Sequence, residues 1–401
     1  MRGFLAAYAV LLSLATGLAV AGGLVLFDET GPSDRIEAAA DRHAYDVAGW
    51  EIRHLPGKWL YKLGHLFDSR SDAEANETLR RYFALLDEIQ VASRDAAQSG
   101  RLETLEAERA SLENTAEDIL EGRATAVLKD QGLAVRPPLF SNLGLLFPPV
   151  DFELDSPPRV LAVSPRERIE LDRSYLLAPG LDRDTVDDIE RQAEAPEDSA
   201  ERSVSALVVP TGGVATYPSV VSQFASYESL VTGILHEWVH QYLVLFPLGR
   251  SYFASHEVRT LNETVADLAG RELARVFFER YPSPVAAPPA EPPAFDFTAE
   301  MRALRKRVEE LLTAGRVEQA EALMERKRDE FEAEGVYIRR RNQAYFAFHG
   351  FYADSPGSID PIGPKLQKLL ESAGSPGRFL QLAAGITSAA ELDRLLADEA
   401  G

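Results

Sequence analysis

Cysteine is absent from the 401 residues, which removes disulfides, thiolate metal ligands and a cysteine nucleophile together. A bound metal must then be held by His, Asp or Glu, and the chain has only seven histidines. Basic residues are also scarce. Lys and Arg number 42 against 63 Asp and Glu, a net charge of -21. No segment concentrates the basic residues, so a phosphate-tracking surface has little to be built from and nucleic acid is not an expected partner. The acidic excess reads first as a solvated surface. No internal repeat is visible. At 45% hydrophobic residues, the chain is apolar enough to bury the cores of two or three structural units.

Long apolar runs occur in one place. Residues 3–27, GFLAAYAVLLSLATGLAVAGGLVLF, form 25 uncharged positions, more than the roughly 20 that span a bilayer as a helix. We expect residues 1–27 to be a retained signal anchor. A cleaved signal ending at AVA (19–21) is the alternative, but the apolar run continues to Phe27. Arg2 precedes the run and the acidic DET (28–30) follows it. The positive-inside bias therefore puts the bulk of the chain outside the cytoplasm, as a single-pass membrane protein.

WEIRHLPGKWLYKLGHLF (50–67) suits a core segment or a membrane interface. Residues 72–94 and 101–130 carry apolar residues at helical spacing and read as a helical hairpin, making 28–135 a membrane-proximal helical region. Proline density then rises, and RVLAVS, RIELD and RSVSALVVPTGGVATYPSVV (202–221) read as strands, the last broken at Pro210 and Gly212-Gly213. DRDTVDDIERQAEA is a short acidic helix between them. A core of 136–280 is followed by a proline-rich linker or loop, 281–298. Residues 299–401 are helical, with a turn at Ala314-Gly315 and breaks at 355–364 and 374–377. The expected fold class is α+β, mainly helical.

TGILHEWVHQYL (232–243) carries the chemistry. On a helix, residues four apart lie about 40° apart in projection and about 6 Å apart along the axis, so His236 and His240 can address one point while Glu237 sits beside it. This is the H-E-x-x-H arrangement of zinc hydrolases, and it predicts one Zn2+. A third ligand is needed. Leu243 and Phe246 exclude the extended motif with a nearby third histidine, which leaves His256 and Glu263. Glu263 lies in LNETVADLAGRELARVFFERY, a second amphipathic helix. Asp267, one turn on, is placed to accept the outer N–H of a ligating imidazole.

H-E-x-x-H followed by N-E-x-x-x-D resembles the gluzincin metallopeptidases. The resemblance implies a zincin-like metallopeptidase domain with helical hairpins packed around it, in which His236, His240 and Glu263 bind zinc and Glu237 is the general base. HEWVHQ, NETVAD and NQAYFAFHGFYADSPGSIDPIGPKLQKLL look, more narrowly, like a family of bacterial proteins named as aminopeptidases within that group. That family carries Asn-x-Ala with a tyrosine eight residues after the alanine, matched here by Asn342, Ala344 and Tyr352. Trp238 and Val239 stand where that family has a smaller pair.

The resulting expectation is a membrane-anchored peptidase that hydrolyses a peptide or protein substrate with a metal-activated water, aminopeptidase action being the first expectation. Tyr352 is the preferred oxyanion donor, with Tyr345 and His349 as alternatives. GGVATYP reads as a turn first, and second as an edge strand where Gly212 and Gly213 admit an extended substrate backbone. The competing reading is a catalytically inactive zinc-binding scaffold, which Trp238 would favour by crowding the site. A motif buried in the bilayer is excluded by the polar residues of 226–246. The sequence assigns no side-chain preference and no oligomeric state.

Overall fold

The computed structural model describes residues 35–64, 70–95, 98–134, 146–195, 203–285 and 295–400. The apolar run 3–27 and the anchor expected there lie outside these residues. Among the described residues no helix is long and apolar enough to cross a membrane. The chain is mainly helical, with two small sheets.

Among the described residues four helices come first: α1 (Arg35–Asp41), α2 (Val47–Gly64), α3 (Asp72–Ala92) and α4 (Ser99–Asp130). The predicted hairpin is α3 and α4. Its start is fixed by a capping box, in which Ser71 and Glu74 satisfy each other's backbone N–H groups. Trp50 of α2 is core, 3% exposed, and its indole donates to Asp155 at 2.7 Å. The interface reading of that residue does not hold.

Strand β2 (Arg159–Pro165) lies between β3 (Arg173–Leu177) and β4 (Val204–Pro210) in an antiparallel sheet. Its side chains alternate between two buried faces. Leu161 and Val163 face α1 and α5 (Arg183–Glu194), whereas Val160 and Ala162 face Ala344 on the opposite side. RIELD, expected as a strand, only leads into the ladder, through Asp172 N to Val163 O at 2.9 Å; the strand paired with β2 is the next segment, RSYLL. Ser164 holds the intervening turn, accepting from Glu170 N at 3.3 Å.

The second sheet has the order β1 (Phe152–Asp155), β6 (Ser219–Ser222), β5 (Gly213–Val214). β1 runs parallel to β6, and β5 antiparallel to it. The segment 202–221 thus holds three strands, because Pro210 and the glycine pair end one ladder and begin another.

One arrangement occurs twice. On α4, Glu117 and Glu121 accept from the outward N–H groups of Leu154 (2.8 Å) and Phe152 (3.3 Å) on β1. On α5, Glu190 and Glu194 do the same for Val208 (2.7 Å) and Ala206 (2.9 Å) on β4. A glutamate pair one helical turn apart matches alternate amides along a strand, so each edge strand is closed by carboxylates rather than by another strand. Counter-charges come from Lys58 and Lys62 in the first case and from Arg339 and Arg340 in the second.

α6 (Tyr227–Leu243), the short α7 (Pro247–Arg250) and α8 (His256–Arg280) follow the sheets. Ser226 and Ser255 cap α6 and α8. The hairpin α9 (Phe297–Thr313) and α10 (Val317–Ala333) turns at Gly315, φ +70°. α11 (Gln343–His349), α12 (Ile362–Ala373), α13 (Pro376–Ala383) and α14 (Ala389–Ala400) complete the chain. One apolar core runs through α3, α4, β1, α6, α8 and α12 to α14. The stretches 28–135, 136–280 and 299–401 are therefore packed against one another.

Candidate metal centre

The apolar face of α6, including Leu230, Val231, Ile234, Trp238 and Tyr242, is buried in the main core. That leaves His236, Glu237 and His240 to look the other way, toward α8 and β5. The two helices cross closely because α8 presents Gly270 to His236: a Cβ there would lie 3.1 Å from the histidine Cα and N. Gln241 ties α6 to the second sheet, donating to Thr216 O (2.7 Å) and Ser219 Oγ (2.8 Å).

His236, His240 and Glu263 converge. Among the described residues they form the one group of three candidate ligands whose donor atoms all lie within 4.8 Å of one another. The two Nε2 atoms are 3.1 Å apart, and Glu263 Oε2 is 4.0 Å from His236 Nε2 and 3.6 Å from His240 Nε2. His256, the alternative ligand, stands apart, its ring 4.5 Å from Phe351.

Hydrogen bonding fixes the tautomer of His240. Asn262 donates through Nδ2 to Leu248 O at 3.4 Å, which turns its Oδ1 to His240 Nδ1 at 2.8 Å. That nitrogen must therefore carry the proton. The Ala266 carbonyl stands beside His236 and favours a proton on that ring. With both rings neutral, the two Nε2 atoms aim lone pairs at each other and at the Glu263 carboxylate, a gathering of electron donors that a bound cation satisfies and that a proton on His240 satisfies in its absence.

The spacing fits a metal. Dividing the product of the separations 3.1, 3.6 and 4.0 Å by four times the area of their triangle gives a circle of radius about 2.1 Å through the three atoms, matching zinc–nitrogen and zinc–carboxylate distances of roughly 2.0–2.2 Å. The side chains of His236, His240 and Glu263 are 15, 15 and 10% exposed, so solvent reaches the group. In the metal-free state, burial and the adjacent His240 push His236 down to about 3. Burial also opposes charge on His240, but Glu263 outweighs it and carries that ring up to about 9. Burial likewise opposes charge on Glu263, yet the imidazoles and Tyr252 hold its carboxyl well below the usual range.

Glu237 makes no hydrogen bond to the protein, and its carboxylate oxygens reach solvent although the residue is only 7% exposed. Burial, aided by Glu263 and opposed by His240, raises it to about 7. It is held against β5: a Cβ on Gly213 would lie 2.6 Å from Glu237 Oε1 and 2.8 Å from Val220 O. Glycine is required there by this close approach. Gly212 is exposed, with open space around it.

Comparison with known proteins gives no match to any family model, curated protein or solved structure.

Tyr352 stands beside the centre, its ring 6.3 Å from that of His236. Its hydroxyl has no protein partner and reaches solvent. Burial and then the carboxylates of Glu263 and Glu237 hold it protonated, as a donor. Thr264, adjacent to Glu263, fixes this segment, accepting from Ala353 N at 2.9 Å with Phe351 O 3.2 Å away. Asn342 is structural: it caps α11 and donates to Ala206 O at 2.9 Å. Tyr345 and His349 pack against each other, ring centroids 4.4 Å apart and planes tilted by 49°.

Two expectations change. Asp267 does not receive a histidine N–H; it pairs with Arg271 at 2.7 Å, which also binds Asp354. The outer nitrogens use Asn262 and Ala266 instead. Trp238 does not crowd the site. At 1% exposure it points into the core, where its indole donates to Pro148 O at 2.9 Å. Half a turn from both histidines, it cannot share their face.

Sequence reasoning missed three residues. Asn262 was visible within the N-E pair but had no assigned role. Tyr252 donates to Glu263 Oε1, leaving Oε2 for the histidines. Arg259 donates through Nε to Tyr252 Oη at 3.2 Å.

Proposed function

We propose that this protein is a zinc-dependent peptidase of the gluzincin type, with a zincin-like domain. One observation carries the reading. Two imidazole Nε2 atoms and one carboxylate oxygen converge on a common centre, while a carboxyl with no hydrogen-bond partner among the described residues, Glu237, stands next to it in contact with solvent.

Zinc, held by His236, His240 and Glu263, would supply Lewis acidity and a water of lowered pKa. The chain's residues do the rest. Glu237, poised near neutrality, takes a proton on its carboxylate from the attacking water and passes it to the leaving amine. Tyr352 donates its hydroxyl proton toward the oxygen that gains negative charge. The outer edge of β5 offers backbone groups to an extended substrate, with Gly213 keeping that strand close to Glu237. The apolar run 3–27 tethers this domain to the membrane on its extracytoplasmic side. An inactive scaffold loses its main support, since Trp238 is turned away from the centre.

The test is digestion of a peptide library by the zinc-loaded chain, with and without a chelator, against Glu237→Gln. Cleavage by the parent should be metal-dependent, and Glu237→Gln should lower it by about 10²–10⁴-fold at unchanged zinc content. Tyr352→Phe should lower kcat by about 10²–10³-fold. Blocking the amino termini of the library tests aminopeptidase action. A zinc-loaded parent that cleaves nothing overturns the proposal.

A further inference from the structure

We infer that Arg259 receives a substrate carboxylate, so that the peptidase prefers chains with a free carboxylate one or two residues from the bond it cuts; this rests on the reading above.

Arg259 lies one turn before Glu263 on α8. Its guanidinium is fixed on three sides: Nε donates to Tyr252 Oη at 3.2 Å, the Phe351 ring lies 4.4 Å away, and the Tyr252 ring 5.4 Å away. Tyr252 in turn gives its own proton to Glu263. Positioning the tyrosine uses Nε alone. The two terminal nitrogens have no protein partner and are open to solvent, and no carboxylate among the described residues lies within 4.0 Å of them.

Other half-buried arginines of this acidic chain are matched. Arg166 pairs with Glu321, Arg271 with Asp267, Arg339 with Glu190 and Arg340 with Glu194. Arg341 also lacks partners, but its three nitrogens are sealed from solvent beside Phe331. Arg259 alone of these combines a fixed plane, free terminal donors and a place at the metal centre. A planar fork held this way matches a carboxylate through two parallel hydrogen bonds.

The position sets the register. Two hydrogen bonds separate the guanidinium from the Glu263 carboxylate, a distance of roughly 6 Å. Extended peptide advances at most about 3.3–3.6 Å per residue, so the carboxylate belongs one or two residues from the scissile carbonyl. Either the terminal carboxylate of a short peptide or an Asp or Glu side chain supplies it.

The experiment compares kcat/KM of the zinc-loaded full chain on matched peptides. One pair ends in a free acid or an amide. A second, amide-terminated, pair carries Asp or Glu against Asn or Gln one or two residues past the cut. The parent should favour the carboxylate form by about 10- to 100-fold, as for a hydrogen-bonded charge, and the pair showing the preference identifies its source. Arg259→Met should bring the ratio near unity, and Arg259→Lys should retain part of it. Zinc content and melting temperature are measured for each variant. If Arg259 only holds Tyr252 in place, Arg259→Met lowers zinc retention and slows both forms alike, leaving the ratio intact; that overturns the inference. A parent that cleaves without preference also overturns it, with the peptidase reading still standing. If the parent cleaves nothing, calorimetric binding of the same acid and amide peptides to zinc-loaded Glu237→Gln, with and without Arg259→Met, decides the carboxylate site separately. Tighter acid binding that depends on Arg259 upholds the site, and equal binding removes it.

Discussion

Two buried groups of ionisable side chains can be set side by side. Around Lys58, four carboxylates lie at 3.0–3.7 Å: Glu117, Glu121, Asp151 and Glu153. Lys62 adds a second ammonium 2.9 Å from Glu121 and from Asp151. The counter-charge there is built into the chain, two ammonium groups among four carboxylates, and two of those carboxylates, Glu117 and Glu121, close the edge of β1. Around His236, His240 and Glu263 the outward-facing atoms are equally well satisfied, by Asn262, Ala266 and Tyr252. Their inward electron pairs face only each other. The difference lies in where the counter-charge comes from. A cluster completed by its own lysines holds the fold together, whereas one built of two imidazoles and a carboxylate that solvent can reach is a candidate metal site.

The largest expected effect breaks the closed cluster. Lys58→Met leaves buried carboxylates uncompensated and should cost about 3–5 kcal/mol of unfolding free energy, read by denaturant titration, while zinc retained per folded chain stays at the parent value. A variant that takes up less zinc would show that the two groups are not separate.

Asn262→Ala probes the open cluster from behind. Without its acceptor, the His240 ring loses its fixed tautomer, and zinc affinity should fall about 10- to 100-fold in competition with a chelator. Unchanged affinity would remove Asn262 from the account.

The smallest effect is a slope with pH. Burial, partly offset by the lysines, pushes Glu117, Glu121 and Glu153 from an ordinary 4.5 up to about 7. The folded chain therefore holds protons that the unfolded chain releases. Their contribution to stability is full below pH 4.5 and is lost as pH rises through 7. Asp151, held low by the two ammonium groups against its own burial, works in the opposite sense. Glu153→Gln removes one raised group, so its melting temperature should fall less than the parent's between pH 5 and 7.5. A parallel pair of curves would contradict this.

The sequence disclosed what depends on local pattern. Apolar periodicity placed α6 and α8, and the second amphipathic helix together with the family resemblance pointed to Glu263 as the candidate third ligand. Contacts that depend on how elements cross were hidden. Asn262 reaches His240 only because Gly270 lets the two helices approach. Tyr252 and Arg259 act through one another across the start of α8, without a periodic signal. Lys58 sits in an aromatic-rich stretch, and Glu117 and Glu121 sit in a helix whose charges read as solvated. Their meeting needs β1 between them. β3 was missed because RIELD has strand-like residues, yet its Glu170 amide goes to the Ser164 hydroxyl and the ladder with β2 is taken up only from Asp172 onward.

The closing of strand edges decides how the molecule meets other extended chains. β1 and β4 are stoppered by glutamate pairs, and β3 is screened by residues 43–45, through Tyr45 N to Leu176 O and Ala178 N to His43 O. Of the four outer margins of the two sheets, the one beside β5 has no such cover among the described residues. Self-templated aggregation thus meets carboxylates on most approaches, and the remaining vacancy for a visiting strand is the one that passes Glu237.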